Sequence, residues 1–255
     1  MLALTRRLPA LRGAGVAANI LKRLYLRKQR KTVDADVLGF RMRLEPSECV
    51  DGGLLFYPQL YEHREIAYLR RHLRTGDVFL DLGANIGFYS LVASKLVGKE
   101  GLVLAIEADP YNWEKLFHNV GANGIDNVRP LNLGLSDKHE VLQLGIGPRG
   151  SRGESGFLTS SLTHVPVECH PLLEVVRRNR IGQIAGLKAD IEGFEYRVLK
   201  RYLADAEPSL YPRFVIIEQI PTFIGRAGGD AIQLLNENGY KVRCSWKLNH
   251  IMELM

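Results

Sequence analysis

The sequence predicts an α/β domain in which an open, mostly parallel sheet carries helices on both faces. Helical patterns alternate with apolar segments, which is typical of a doubly wound sheet. Five segments have the length and composition of buried strands, at residues 78–80, 102–106, 128–131, 186–190 and 214–218. Four of these strands are followed by or end in an acidic residue, namely Asp81, Glu107, Asp190 and Glu218. Because ligands of such sheets bind at the carboxyl ends of the strands, we expect a negatively charged crevice there.

The other elements are predicted from local patterns. Asp109 and Pro110 open a helix, because Asp caps free N–H groups and Pro suits the first turn. A Gly/Ser-rich stretch at 147–161 predicts an exposed, mobile loop. The remaining predictions are a half-exposed strand at 39–44, helices at 59–74, 86–97, 191–204 and 229–238, a hairpin or edge strand at 139–146, and the last strand or strands at 239–248.

Composition predicts a globular protein with a real core. The chain has 255 residues, 46% hydrophobic and 24% charged, which disfavours a disordered chain or a disulfide scaffold. No apolar run is long enough for a membrane-spanning helix. The three cysteines lie far apart without a CxxC pair, so we expect no structural zinc site and a reducing, cytoplasmic compartment.

The net charge of +6 is distributed unevenly along the chain. Residues 1–33 contain nine Lys or Arg and no acidic residue, which leaves 25 basic and 28 acidic residues in the rest. We therefore predict a basic arm at 1–33 and a main domain at 34–255, with a cofactor-binding half at about 76–137. The main domain has no basic excess, which disfavours nucleic acid as its partner.

The basic arm has the pattern of an amphipathic helix. Val16, Ile20, Leu21 and Leu24 share one face. Three interpretations stay open: a solvated helix, peripheral contact with an anionic membrane, or a targeting segment. Deleting residues 1–33 is expected to leave cofactor affinity unchanged and to lower sedimentation with anionic liposomes. Full-length protein that ignores such liposomes at low salt would contradict the membrane interpretation.

The turn after the first buried strand predicts the cofactor. Asp81 precedes a GxNxG turn in which Gly83 and Gly87 allow close approach of a ligand, with Ala84 and Asn85 between them. An acidic residue here would repel a dinucleotide pyrophosphate, but it suits the positive sulfonium and amino groups of S-adenosylmethionine. Glu107 ends the next strand, where a carboxylate can accept hydrogen bonds from ribose hydroxyls, and Ala108 follows it.

Three segments resemble the FkbM family of class I methyltransferases. They are residues 77–90 (DVFLDLGANIGFYS), residues 106–110 (IEADP) and residues 187–195 (LKADIEGFE). The resemblance implies a seven-stranded Rossmann-like sheet, S-adenosylmethionine as cofactor, and methyl transfer to a hydroxyl of a sugar, glycolipid, polysaccharide or related natural product. It also implies that Ser136 and Asp137 contact adenine.

The chain departs from the family pattern on the acceptor side. A Leu-Asp pair usually opens the helix before the third segment, whereas this chain has Val167 to Leu173 there. Glu168 or His170 would have to replace that aspartate.

Asp190 is the predicted general base, because it ends a strand at the crevice and a hydroxyl nucleophile needs its proton removed. Glu192 is the second candidate; its alternative role is that of a helix-start residue favoured by the dipole. A metal is not the main expectation, although Asp190 and Glu218 could hold Mg²⁺. Other candidate bases are His63, His164 and His170, and Lys188 is expected to be an edge or ion-pair lysine.

Two other functions remain as alternatives to an O-methyltransferase. A nucleic-acid methyltransferase commonly carries an Asn/Asp-Pro-Pro-Tyr/Phe run where this chain has Asp190-Ile191-Glu192-Gly193. A non-catalytic module would bind S-adenosylmethionine and be tethered by its basic arm. Production of S-adenosylhomocysteine distinguishes the enzyme from the module.

Overall fold

The computed structural model describes residues 32–147 and 152–255. The basic arm predicted at 1–33 lies outside this range, except for its last two residues. Its helix and its membrane contact therefore stay predictions. Among the described helices, none combines the length and the apolar character needed to cross a membrane.

The first described elements are a hairpin and two helices. They are strands β1 (Val33–Val37) and β2 (Phe40–Leu44), which pair antiparallel, and helices α1 (Cys49–Phe56) and α2 (His63–His72). The sequence predicts β2 but neither β1 nor α1. Local propensity does not indicate helix α1, because its Gly52 and Gly53 are weak helix formers. The helix is stabilised by packing of its buried residues against the core.

Helix α2 is shorter than the helix predicted at 59–74. Glu62 precedes it with a φ of 43°, a left-handed conformation that interrupts the helical backbone. Leu73 follows it in an extended conformation. The predicted helix was therefore wrong at its start, where Glu62 makes a turn that no local pattern indicates.

The rest of the chain forms a large sheet, a small sheet and their covering helices. In chain order the elements are β3 (Val78–Leu82), α3 (Phe88–Val97), β4 (Leu102–Glu107), α4 (Pro110–Ala122), β5 (Val128–Asn132), β6 (Gly134–Ser136), β7 (Glu140–Gly145), β8 (His164–Pro171), α5 (Leu172–Arg178), β9 (Gly186–Ala189), α6 (Glu195–Asp205), β10 (Phe214–Glu218), α7 (Ile224–Ala227), α8 (Ala231–Glu237), β11 (Tyr240–Trp246) and β12 (Asn249–Leu254).

The large sheet confirms the predicted fold class. It has seven strands in the order β11-β12-β10-β9-β3-β4-β5. Strands β10, β9, β3, β4 and β5 are parallel, whereas β12 is antiparallel to both of its neighbours. The chain winds outward from β3 through β4 and β5 and then returns to β9 on the other side of β3. This reversal makes the carboxyl ends of β3 and β9 the switch point where a ligand crevice forms.

Both faces of the large sheet are buried. Along β3, the neighbouring residues Phe79 and Leu80 are fully buried in two different hydrophobic clusters. Successive side chains of a strand point to opposite faces, so each cluster covers one face. Burial on both faces explains why these strands appear in the sequence as continuous apolar runs.

The small sheet has the order β6-β8-β7. Strand β7 confirms the edge strand predicted at 139–146, and it pairs antiparallel with β8. Strand β8 itself was not predicted. It contains Pro166 and ends at Pro171, and proline normally argues against a strand because it cannot donate to the ladder.

The loop predicted at 147–161 is only partly exposed along its described part, since Glu154 and Ser160 are exposed and the other residues are at least half-buried. Residues 152–154 form a turn of 3₁₀-helix, Gly156 is buried, and Phe157 packs against Phe194 with ring centroids 5.0 Å apart. The prediction of exposure fails only for the residues that pack against distant parts of the chain, such as Phe157, because glycine and serine content does not indicate such contacts. The predicted mobility stays a prediction. We call residues 152–157 the roof segment.

The C-terminal hairpin extends beyond the strands predicted at 239–248, since β12 continues to Leu254. Asn249 is the register partner of Glu218 at the end of β10. The turn between β11 and β12 therefore lies at the carboxyl edge of the parallel strands. This position matters for the site described next.

Candidate active site

The turn formed by residues 83–87, here called the glycine turn, packs directly against the end of β9. Gly83 has a φ of 74°, and a Cβ on it would overlap the main-chain carbonyl oxygen of Asp190. The backbone N–H groups of Gly83 and Ala84 each donate to the Ile106 carbonyl at 2.9 Å. Only glycine fits at this close approach, which brings β3, β4 and β9 together at the switch point.

Asp81 stabilises this turn from within the sheet. Its side chain is fully buried, and one carboxylate oxygen accepts a hydrogen bond from the Ser90 hydroxyl at 2.6 Å. The residue does not line the cavities described below. Its predicted contact with the cofactor stays a prediction.

Glu107 links the glycine turn to the start of helix α4 through hydrogen bonds. Its two carboxylate oxygens accept from the backbone N–H groups of Asn85, at 2.7 Å, and Asp109, at 2.8 Å. Burial raises the pKa of Glu107 to about 7, although these donors oppose the shift. Asp109 begins α4 as predicted, with its side chain accepting from the Tyr111 N–H.

A cavity lies between the glycine turn and the roof segment, and we call it the inner cavity. Four of the predicted cofactor-binding residues line it, namely Gly83, Asn85, Glu107 and Ala108. Both predicted catalytic residues, Asp190 and Glu192, line it as well. Ala84 lines an adjoining pocket that also contains Glu62, Lys188 and Asp190. Gly87 lies outside both; it precedes α3 with a left-handed φ of 91°.

Ser136 and Asp137 have partners of their own outside the inner cavity. The Ser136 hydroxyl donates to Glu140 at 2.6 Å, and Arg197 donates to Asp137 at 2.6 Å and to Glu140 at 2.8 Å. The wall of the cavity at this place is formed instead by residues 133–135. Contact between Ser136 or Asp137 and adenine therefore stays a prediction, with these wall residues as nearer candidates.

Arg152 holds the roof segment in place, and sequence reasoning missed it. Its guanidinium lies 3.0 Å from both carboxylate oxygens of Asp109, which is only 1% exposed. Asn112 donates to the Arg152 carbonyl at 3.0 Å. Charge-assisted contacts of this kind are among the stronger ones in proteins. The only local signal was an arginine within a glycine-rich stretch.

Three carboxylates converge beside the glycine turn. One oxygen each of Asp190, Glu192 and Glu218 lies within 4.8 Å of the others, and all three side chains are half-buried. We call them the carboxylate trio. The structure thus brings together both predicted catalytic residues and the predicted strand-end glutamate.

Lys188 neutralises part of this charge from inside the central strand β9. Its ammonium lies 3.1 Å from the Asp190 carboxylate and 3.3 Å from the Gly83 carbonyl, and 5.1 Å from the centre of the Tyr89 ring. Burial lowers the pKa of Lys188, but the carboxylates around it, chiefly Asp190, outweigh burial and raise it above its ordinary value. The prediction of an ion-pair lysine is confirmed, but Lys188 is central rather than at an edge.

Among the described residues, no cation forms an ion pair with Glu192 or Glu218, although the charge of Lys188 opposes the rise of their pKa values. Burial, followed by the charge of Asp190, raises the pKa of Glu192 to about 8 and that of Glu218 to about 9. Both therefore hold a proton near neutral pH, whereas Asp190 is paired with Lys188. The ion pair with Lys188 therefore distinguishes Asp190 from the other two members of the trio.

The raised pKa of Glu192 predicts a pH dependence of stability. The folded state binds the proton more tightly than the unfolded chain, so its contribution is full below pH 4.5 and is lost as the pH rises through about 8. Glu192→Gln removes this loss. We expect the variant to gain about 2 kcal/mol in free energy of unfolding at pH 9 relative to wild type, and little at pH 5. Urea unfolding at the two pH values measures this difference; an equal effect at both would contradict it.

The carboxylate trio could also hold a divalent cation, since oxygen ligands suit Mg²⁺. However, the Lys188 ammonium already lies against Asp190 on one side. A cation bound to Asp190 would therefore be repelled by a fixed positive charge. The neighbouring ammonium therefore disfavours a metal ion at Asp190.

The three candidate histidines lie in different places. His170 is buried on β8, with its Nε2 3.1 Å from Glu168. It lines none of the cavities beside the trio, and neither does the exposed His164. His63 lines a separate cleft between α2 and the C-terminal hairpin. None of the three therefore replaces Asp190 as the group nearest the glycine turn.

That separate cleft, here called the outer cleft, has a volume of about 570 Å³. Glu218 of the carboxylate trio lines it, and so does Glu62, which also lines the pocket next to Asp190. The sequence did not predict the outer cleft, because its walls come from segments almost 200 residues apart. Its lining residues are Leu60, Glu62, His63, Arg64, Glu65, Glu218, Trp246, Lys247, Leu248 and Asn249.

The seven-stranded sheet and the acidic glycine turn at its switch point define a class I methyltransferase that depends on S-adenosylmethionine. The chain belongs to the FkbM methyltransferase family, since the model of the methyltransferase FkbM domain matches residues 81–242.

Two curated relatives match by sequence. Protein-L-isoaspartate O-methyltransferase 1 of Archaeoglobus fulgidus is 38% identical over 109 residues, which cover 41% of this chain and 44% of the relative. Protein-L-isoaspartate O-methyltransferase 2 of the same organism is 30% identical over 109 residues, covering 41% and 43%. The chain therefore matches less than half the length of these relatives.

Solved structures also match. One is a SAM-dependent methyltransferase from Aquifex aeolicus, with a TM-score of 0.45 and 15% identity, covering 77% of this chain and 92% of that chain. Another is fibrillarin from Aeropyrum pernix in complex with S-adenosyl-L-methionine, with a TM-score of 0.43 and 15% identity, covering 75% and 73%.

Proposed function

We propose that this methyltransferase transfers its methyl group to a hydroxyl oxygen of a sugar, glycolipid, polysaccharide or related natural product, with Asp190 as the general base. The observation that carries this proposal is the position of Asp190. It lines both the inner cavity and the adjoining pocket, and it is paired with a buried lysine. A carboxylate between a cofactor site and an acceptor site can remove the hydroxyl proton as transfer proceeds.

The inner cavity fits S-adenosylmethionine in charge and in polarity. Asp190 and the ionised form of Glu107 give its lining negative charge, which suits a sulfonium and an amino group, and Glu192 adds a polar carboxyl group. Ser155 also lines it, and the hydroxyl of this residue has no hydrogen-bond partner among the described residues. A buried hydroxyl without a partner is costly, so a polar ligand would stabilise it.

Each residue of the site then has a distinct role in the reaction. Bound S-adenosylmethionine supplies an electrophilic methyl group. Gly83 and Asn85 bring backbone close to the ligand, and Glu107 offers its carboxylate to the ribose hydroxyls. Asp190 takes the acceptor proton, and Lys188 fixes the orientation of its carboxylate. Alignment of the two substrates in one crevice provides much of the rate enhancement.

Glu107 gives a prediction for cofactor binding. Glu107→Ala is expected to weaken binding of S-adenosylmethionine by about 1.5–3 kcal/mol, because hydrogen bonds to a charged group are lost and the Asn85 and Asp109 N–H groups lose their acceptor. Titration calorimetry measures the change. Glu174→Ala, at a half-exposed glutamate on α5, serves as the control. Unchanged affinity in Glu107→Ala, or binding of NAD by the wild type, would contradict the assignment.

Among the members of the carboxylate trio, Asp190 distinguishes this proposal from other acceptors, because Glu192 and Glu218 hold protons near neutral pH. A carboxylate acceptor, such as the isoaspartyl group in the names of the two relatives, would have to approach Asp190 against like charge. A nucleic acid would meet the same repulsion through its phosphates. A neutral hydroxyl meets none. The described edge of the sheet therefore favours an uncharged acceptor.

Formation of S-adenosylhomocysteine tests the proposal. Full-length protein is incubated with S-adenosylmethionine and, separately, with neutral glycan and glycolipid extracts, with RNA and with an isoaspartyl peptide. We expect turnover with the neutral hydroxyl acceptors, and mass spectrometry should show an ether-linked methyl group. Turnover only with RNA or the peptide would overturn the acceptor, and binding without any turnover would favour a non-catalytic module. Activity that survives a chelator argues against a metal.

A further inference from the structure

The outer cleft combines an aromatic side chain with several fixed polar groups. Trp246, at the end of β11, lines it together with Asn249 at the start of β12 and Glu65 of α2. The Trp246 indole N–H donates to Glu65 at 2.8 Å, and the Asn249 amide donates to the same oxygen. These bonds fix the orientation of the aromatic ring, and the Arg64 guanidinium lies over one of its faces, 5.5 Å from the ring centre.

Glu65 has an unused acceptor. The residue is only 1% exposed, and its second carboxylate oxygen has no hydrogen-bond partner among the described residues. Burying a carboxylate oxygen without a donor is unfavourable. A small shift of the side chain toward the cleft would let a ligand hydrogen-bond donor satisfy it.

The outer cleft lies next to the reacting groups. Glu218 belongs both to its lining and to the carboxylate trio, where its carboxylate lies within 4.8 Å of that of Asp190. Glu62 lines both the cleft and the pocket that contains Asp190 and Lys188. A ligand in the cleft would therefore lie beside side chains that neighbour the base.

The lining indicates a neutral ligand with several hydroxyl groups. It contains three carboxyl groups, but also Arg64 and Lys247. Burial raises the pKa of Glu62 to about 7, and that of Glu218 is raised to about 9, so neither is fully ionised near neutral pH. The cleft thus offers donors and acceptors with little net charge, beside one aromatic ring. That set matches a pyranose, which has an apolar ring face and hydroxyls at its edge, better than an ammonium or a phosphate.

We propose that the outer cleft is an acceptor subsite that binds a neutral pyranose unit of the glycan through Trp246, Glu65 and Asn249. The proposal rests on the proposed function for the statement that the bound sugar belongs to the acceptor. It predicts that the enzyme recognises more of the acceptor than the hydroxyl that is methylated.

Nuclear magnetic resonance tests this binding without methyl transfer. The chain has two tryptophans, so the indole N–H signal of Trp246 can be assigned with Trp246→Phe, and the signal of Trp113 on α4 is an internal reference. Full-length protein is titrated with methyl glucoside, methyl mannoside, maltose and cellobiose, and in parallel with tetramethylammonium chloride and sodium phosphate. We expect the neutral sugars to shift the Trp246 signal at millimolar concentration and to leave the Trp113 signal unchanged.

Variants show whether the aromatic ring contributes. Trp246→Ala is expected to weaken sugar binding roughly 2- to 10-fold, as followed by the amide signals of Lys247 and Leu248. Phe117→Ala, at an exposed aromatic residue on α4, should leave it unchanged. The proposal is overturned if none of the neutral sugars shifts the Trp246 signal, or if the ammonium or phosphate probe shifts it more strongly. Sugar binding without methyl transfer to any hydroxyl would instead overturn the proposed function and leave the sugar site standing.

Discussion

Asp190→Asn is expected to slow methyl transfer about 100- to 10,000-fold, the usual effect of removing a general base. The substitution keeps the shape of the side chain, and the amide oxygen can still accept from Lys188, which now lies 3.1 Å from the carboxylate. What is lost is the ability to accept the hydroxyl proton. Because Gly83, Asn85 and Glu107 remain in place, the affinity for S-adenosylmethionine should change little.

The measurement is the rate of S-adenosylhomocysteine formation at saturating cofactor, with cofactor affinity from calorimetry. Asp126→Asn, at an exposed aspartate before β5, is the matched control and should behave like wild type. Near-normal turnover in Asp190→Asn would reject the general base and leave alignment of the substrates as the main catalytic effect. In that case Glu192, which lines the same cavity, would be the next residue to test.

The cofactor side of the site could be predicted because it is local in sequence. The apolar runs of β3, β4 and β9 each lead to an acidic residue, and parallel strands bring their carboxyl ends to one edge. Residues within a few positions of a strand end therefore come together whatever the loops do. Asp190 and Glu107 were found in this way, and the structure places both on the inner cavity.

The acceptor side could not be predicted, because it depends on contacts between distant segments. Glu62 and Glu65 lie in a charged stretch that resembles the solvated face of a helix, yet Glu65 is buried through its bonds to Trp246 and Asn249. No local pattern indicates that pairing. Arg152 is similar: its partner Asp109 was recognised only as a helix cap, and the glycines around Arg152 suggested a mobile loop.

Lys188→Met is expected to lower the free energy of unfolding by about 3–5 kcal/mol at pH 8, the usual cost of leaving buried charges without their partner. Among the described residues, Lys188 is the cation that forms an ion pair with Asp190, and the carboxylates of Asp81 and Glu62 also contribute to its raised pKa. Methionine has a similar length and fills the space beside Tyr89, so the effect reports charge more than packing.

The sign of the pH dependence follows from linkage. Without the lysine, the carboxyl groups around it bind protons more tightly in the folded state than in the unfolded chain. Stability is then retained at low pH, where they are protonated, and is lost as the pH rises. The deficit of Lys188→Met should therefore be small at pH 5 and large at pH 8, and the acid limb of the activity profile should move to higher pH. Urea unfolding and S-adenosylhomocysteine formation across this range measure both effects.

Lys115→Met separates this role from the general cost of removing a buried lysine. Lys115 is also buried and forms an ion pair with Asp51, but it lies on α4 and lines none of the cavities beside the carboxylate trio. We expect this variant to lose stability as well, yet to keep the acid limb of the wild-type activity profile. If both variants shift that limb equally, or if neither does, Lys188 acts only on folding and does not set the protonation of the base.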